Sequence, residues 1–104
     1  MEKKEILDTS VAIESNEGLI SLFTVIEHPP SIDKFEILFP DNVDYIKAIE
    51  ISNKLREKGK PIGAIDILIA AMCLNRNAKL ITKDKDFAIV KAFFPEFEFK
   101  LFEN

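Results

Sequence analysis

Carboxylates recur in this chain where apolar runs stop. Asp8 ends Glu5-Ile6-Leu7, and Glu27 ends Leu22-Phe23-Thr24-Val25-Ile26. Asp66 sits inside Pro61-Ile62-Gly63-Ala64-Ile65-Asp66-Ile67-Leu68-Ile69-Ala70-Ala71, and Asp84 and Asp86 follow Leu80-Ile81-Thr82. A carboxylate beside a buried apolar segment is costly unless a partner offsets it. The recurrence predicts that these groups meet and share a partner. Two carboxylates ~4 Å apart repel by about 4 kcal/mol at an effective dielectric of ~20. Left alone they raise one another's pKa until some are protonated, and a divalent cation reverses that logic. All-oxygen ligands select Mg²⁺ or Mn²⁺ ahead of zinc or copper. In phosphodiester hydrolysis such an ion activates a water, orients the phosphate and stabilises the leaving oxygen. Neither a histidine base nor a covalent nucleophile is then needed.

The rest of the composition narrows the alternatives. His28 is the only histidine, which excludes mechanisms that need two, including most zinc hydrolase sites. Cys73 is the only cysteine, so an internal disulfide and a cysteine zinc site are both excluded. Cys73 reads as a small core residue and His28, beside two prolines, as structural. The net charge is −4, which gives no broad footprint for nucleic acid. It is compatible with a nuclease, because clustered metal-binding carboxylates lower the formal charge. Hydrophobic residues make up 47% and charged residues 31% of the chain, the balance of a soluble globular protein. No apolar run reaches the ~18 residues of a membrane span. Met1-Glu2-Lys3-Lys4-Glu5 shows no signal-peptide apolar region. A cytoplasmic protein is expected, with residues 1–104 forming one domain.

The elements that must position the carboxylates are legible in outline. Ile6-Leu7 reads as a short strand leading into Asp8-Thr9-Ser10. Residues 11–20 read as a short helix with Ser10 as N-cap. Ser21 to Ile26, rich in Phe, Thr, Val and Ile, reads as a buried strand. His28-Pro29-Pro30 halts regular structure. Phe35 to Leu38 reads as another strand. Asp41 or Asn42 caps a helix over 43–58, with Tyr45, Ala48, Ile49, Ser52 and Leu55 on one stripe and Glu50 and Lys54 as an i,i+4 pair. Gly59 closes it. Residues 64–76 form a helix apolar on nearly every face, hence central, ended by Asn77 or Ala78. Lys79 to Thr82 is a strand and Phe87 to Ala92 a short helix. From Phe97 to Phe102 apolar and charged residues alternate as in a half-buried edge strand. The aromatic crowd Phe93, Phe94, Phe97, Phe99 and Phe102 finishes the core, and its apolar edge is a candidate homodimer interface.

Strands alternating with helices imply a mainly parallel α/β sheet with helices on both faces. Ligands of such sheets bind outside the carboxyl ends of the strands, near the switch point in strand order. Asp8, Glu27 and Asp84 are expected just past strand ends, and Asp66 in the first turn of the central helix at the same rim.

The segments Ile6-Leu7-Asp8-Thr9-Ser10, Lys60 to Ala71 and Ala78-Lys79-Leu80-Ile81-Thr82-Lys83-Asp84-Lys85-Asp86-Phe87 resemble the PIN-domain family, in particular VapC-type toxin ribonucleases. The resemblance is good over 42–90, fair over 5–14 and weak between. It implies a PIN-like three-layer sandwich with a central sheet of four to five strands, and Mg²⁺- or Mn²⁺-dependent cleavage of single-stranded RNA. By position Asp8 matches the first acidic ligand, Asp66 the third and Asp84 the fourth, with Asp86 close by. Thr82 matches the threonine that supports the acidic site, and Thr9 or Ser10 is a candidate to orient Asp8. Lys83 and Lys85 are candidates to contact substrate phosphates. Glu27 takes the second acidic position, with Glu14 or Asp86 as its stand-in.

The middle of the chain departs from the pattern. Only 18 residues separate Asp8 from Glu27. His28-Pro29-Pro30 stands where relatives carry a helical pair that helps form the dimer and the antitoxin groove. Two readings follow: an active ribonuclease, with an antitoxin as a candidate partner, and an abbreviated, catalytically inactive PIN-like module for RNA or protein binding. Receiver domains and haloacid-type phosphatases also place an Asp after the first strand. A receiver wants a neighbouring acidic pair, and the phosphatase wants an Asp where this chain has Ser10, so neither pattern fits.

Overall fold

The computed structural model describes residues 3–103, so Met1 and Glu2 of the N-terminal reading and Asn104 lie outside it. Five strands form one sheet, paired parallel throughout: β1 (Glu5–Leu7), β2 (Leu19–Ser21), β3 (Glu36–Leu38), β4 (Lys79–Thr82) and β5 (Glu98–Leu101). Their order is β3-β2-β1-β4-β5. The chain winds outward from β1 to β3 on one side, then returns to β4 and continues outward on the other. The switch point therefore lies between β1 and β4, where a ligand crevice is expected.

Parallel neighbours need crossovers, and the helices supply them. Helices α1 (Thr9–Ala12) and α2 (Leu22–Glu27) link the first three strands. Their Ala12 and Val25 pack with Ile20, Leu7, Phe35 and Ile37 in a small core on one face. Helices α3 (Asn42–Glu57), α4 (Ala64–Asn75) and α5 (Phe87–Phe93) serve the other half. They cover the opposite face, where Ile51, Leu55, Ile69, Phe87, Val90 and Phe97 pack against Ile6 and Leu80. The result is a three-layer α/β sandwich. As its composition predicts, α4 is the buried centre: Ile67, Ile69, Ala70, Ala71, Met72 and Cys73 are all buried. Among the described residues no helix is long and apolar enough to cross a membrane.

Two expected segments differ. The strand falls at Leu19–Ser21, beginning inside the segment 11–20 expected to be helical, and the expected strand Ser21 to Ile26 is mostly helix α2. The Phe-Thr-Val-Ile composition favours a strand only weakly, and tertiary context decides. Leu19 and Ile20 pair with β1 on one side and β3 on the other, while the Ser21 hydroxyl accepts the Thr24 N–H and starts a helix. Glu27 therefore reaches the rim at the end of a helix and not directly after a strand. Ser10 likewise lies inside α1, whose cap is Asp8.

The buried stripe of α3 is rotated from the expected one. It runs Asp44, Ala48, Ile51 and Leu55, leaving Ile49 70% exposed. Asp44 tolerates burial because Arg76 donates to both its oxygens, at 2.7 and 2.9 Å, and Asn75 adds a third bond. Asp41 and Asp44 form a reciprocal capping box. Glu50 pairs with Lys47, three residues before it, and not with Lys54. Gly59, at φ +69°, turns the chain out of α3.

Candidate active site

β1 and β4 end side by side, and each hands a carboxylate to the rim. The Asp8 N–H bonds to the Ile81 carbonyl at 2.9 Å, extending the β1–β4 pairing one residue past β1. Asp8 then caps α1: its Oδ1 accepts the Thr9 N–H at 3.0 Å. Its Oδ2 accepts the hydroxyl proton of Thr82 at 2.7 Å. Thr82 is fully buried at the end of β4, and its hydroxyl also accepts the Asp84 N–H at 3.0 Å. One hydroxyl thus links the carboxylate after β1 to the backbone that carries the carboxylate after β4. The Asp84 Oδ1 in turn accepts the Asp86 N–H at 2.8 Å, which shapes the turn into α5.

Glu27 joins from α2. Its Oε1 accepts the Thr9 hydroxyl at 2.6 Å, and the buried Thr24 hydroxyl lies 3.1 Å from the same Thr9 oxygen. Thr24 was not foreseen from sequence. Its spacing, three residues after the Ser21 cap and three before Glu27, becomes informative once the segment is known to be helical. Asp66 sits in the first turn of α4, where the helix dipole favours its charge.

Electrostatics tie the five acids together. Burial first, then the charges of Asp8, Asp84, Glu27 and Asp86, together push the Asp66 carboxyl up to about 6. Asp8 is also raised, first by burial, then by Glu27 and Asp84, against the opposing hydrogen bonds from Thr82 and Thr9. Mutual repulsion of this kind is what a bound cation relieves. Among the described residues no three of these groups close into a ready-made metal cage. The donors are all oxygens, which suits Mg²⁺ or Mn²⁺.

The remaining candidates are placed differently. The Thr9 hydroxyl serves Glu27, and only the Thr9 N–H serves Asp8. The Ser10 hydroxyl is buried without a hydrogen-bond partner. Lys83 forms an ion pair with Glu14, the candidate stand-in for Glu27, and its ammonium lies 5.7 Å from the Phe102 ring centre. Lys85 is exposed.

The PIN domain family model matches residues 31–92. The chain belongs to the PIN domain family. The matched span of this PIN domain contains Asp66, Thr82, Asp84 and Asp86, while Asp8 and Glu27 reach the same rim through β1 and α2. Solved structures share the fold. A chain in the structure of VapBC2 from Rickettsia felis, bound to a DNA fragment from their promoter, superimposes with a TM-score of 0.77 at 18% identity, covering 95% of this chain and 98% of that one. DNA-bound VapBC from Salmonella typhimurium gives 0.75 at 19% identity, over 96% and 98%. VapBC-5 from Mycobacterium tuberculosis, a member of the VapBC family of toxin-antitoxin systems, gives 0.74 at 22% identity, over 99% and 100%. No curated protein matches the chain.

Proposed function

We propose that this PIN domain is a divalent-metal-dependent endoribonuclease and the toxin member of a toxin–antitoxin pair. The observation that carries the reading is the Asp8–Thr82–Asp84 linkage across the switch point, with Asp8, Asp84 and Glu27 close enough to raise the proton affinity of Asp66. Asp8, Asp66 and Asp84 would hold Mg²⁺ or Mn²⁺, with Glu27 or Asp86 completing the set. When bound, that ion supplies Lewis-acid activation of water and charge neutralisation at the phosphate. The chain's own residues do the positioning. Thr82 fixes the rotamer of Asp8 and the backbone of Asp84. Thr9 holds Glu27 toward Asp8, and the α4 N-terminus favours negative charge beside Asp66. The likeness to VapBC chains supports an antitoxin partner, and family membership supports single-stranded RNA as substrate.

The test is cleavage of single-stranded RNA with Mn²⁺ or Mg²⁺ and with chelator, for the wild type, Asp8→Ala and Asp66→Asn. Metal-dependent cleavage that both substitutions abolish is expected. Cleavage that survives chelator, or equal rates in the variants, would falsify the assignment.

A further inference from the structure

Four cations fall within seven residues where α3 turns into α4: Lys54, Arg56, Lys58 and Lys60, with Glu57 the one acid among them. Arg56, Lys58 and Lys60 are exposed, and among the described residues none of the three enters an ion pair. Four other cations are committed: Lys3 to Glu98, Lys47 to Glu50, Arg76 to Asp44, and Lys83 to Glu14. Gly59, in a left-handed conformation between Lys58 and Lys60, makes the turn tight.

The turn lies on the same rim as the carboxylates. Asp44 in the first turn of α3 grips Arg76 just past the end of α4, so the two helices run antiparallel. The end of α3 therefore stands beside the start of α4, where Asp66 is. Chain geometry alone keeps Lys60 within about 20 Å of Asp66. A chain of net charge −4, with five acids gathered at its crevice, repels a polyanion on approach. A cationic turn on that rim, together with the exposed Lys85 between Asp84 and Asp86, opposes this locally.

We infer that Arg56, Lys58 and Lys60 hold the RNA strand beside the cut site by its phosphates, an assignment that rests on the nuclease reading above. Lysine ammoniums on an exposed turn suit backbone charge and not base identity. The turn is thus a positioning element for any single-stranded RNA.

The experiment compares two charge-matched double variants, Lys58→Ala/Lys60→Ala at the turn and Lys4→Ala/Lys34→Ala, which precede β1 and β3 at the opposite rim. Binding of a fluorescein-labelled single-stranded RNA is read by anisotropy in an Asp66→Asn background, between about 50 and 200 mM salt. Cleavage kinetics are read in the wild-type background. The turn double is expected to bind roughly tenfold more weakly, with the slope of log affinity against log salt reduced by about 1.4. The loss should fall on KM more than on kcat, and the opposite-rim double should stay within about twofold in affinity. Indistinguishable doubles in a protein that cleaves RNA would overturn this inference and leave the nuclease reading standing. RNA binding that depends on the turn in a protein that never cleaves would sink the nuclease reading and the placement beside a cut site, and keep only the phosphate contact of the turn.

Discussion

Thr82 Oγ1 donates to Asp8 Oδ2 at 2.7 Å, joining residues 74 positions apart across the point where strand order reverses. The bond is buried, and the same oxygen accepts the Asp84 N–H. A single hydroxyl thereby sets the relative placement of the two carboxylates that β1 and β4 deliver.

Thr82→Val keeps the shape and removes that hydroxyl. The Asp84 N–H and one Asp8 oxygen lose their partner in a buried setting, at a cost of about 1–3 kcal/mol. Urea denaturation should show that loss, and Mn²⁺ affinity should fall about 10- to 100-fold. Thr82→Ser should recover most of both. Equal Mn²⁺ affinity in Thr82→Val would show that the hydroxyl does not orient the site.

Asp66 gives a pH signature to the metal-free protein. Its carboxyl is raised to about 6 from an ordinary value of 3.8. The folded state therefore holds the proton more tightly than the unfolded chain. That contribution to stability is complete below about pH 4 and is lost as pH rises through about 6. Thermal midpoints of the apo protein should fall across this window. Asp66→Asn should flatten the fall and raise the midpoint at neutral pH, while removing stabilisation by Mn²⁺. Mn²⁺ binding to the wild type should weaken below pH 6, where protons compete for the carboxylate.

Asp44 carries the opposite sign, away from the site. Burial would raise its carboxyl, but hydrogen bonds from Arg76, Asn75 and the Asp41 backbone outweigh burial and hold it at about 2. Its stabilisation is present above about pH 4 and is lost as pH falls through about 2. Arg76→Ala strands the buried charge and should cost about 3–5 kcal/mol by denaturant titration. A cost near zero would mean that the pair does not lock α3 to α4.

Thr9 holds Glu27 through a 2.6 Å hydrogen bond. Thr9→Val should leave Asp8 capping α1 through the backbone N–H and release Glu27. RNA cleavage is expected to drop at least tenfold, with stability lowered by about 1–3 kcal/mol because the buried Thr24 hydroxyl loses the same partner. Thr9→Ser should restore cleavage. Unchanged cleavage in Thr9→Val would remove Glu27 from the site.

Much of this arrangement was legible because local signals agreed with the global fold. Asp41 and Gly59 bracket α3, the apolar run after Asp66 can only be a central helix, and Lys79 to Thr82 ends where the acids begin. Residues 19–27 were not legible. Leu19 and Ile20 become a strand only through partners in β1 and β3, and Phe23-Thr24-Val25-Ile26 becomes helical against its own β preference once Ser21 caps it. The buried face of α3 was misjudged for a related reason: Asp44 looks like a surface residue until Arg76, 32 positions on, is seen to neutralise it. Glu27 was expected at the rim from its position after an apolar run, and it comes there from a helix rather than a strand, so its contact with Thr9 was invisible.

The central claim is that acids from β1, α2, α4 and β4 act as one divalent-cation site. The most direct measurement is paramagnetic broadening of backbone amide NMR signals by substoichiometric Mn²⁺. Signals from Asp8, Thr9, Asp66 and Asp84 are expected to vanish first, those at the opposite rim, such as Glu5, Lys79 and Glu98, to persist, and Asp66→Asn to abolish the pattern. Broadening centred elsewhere, or an unchanged pattern in Asp66→Asn, would contradict that claim.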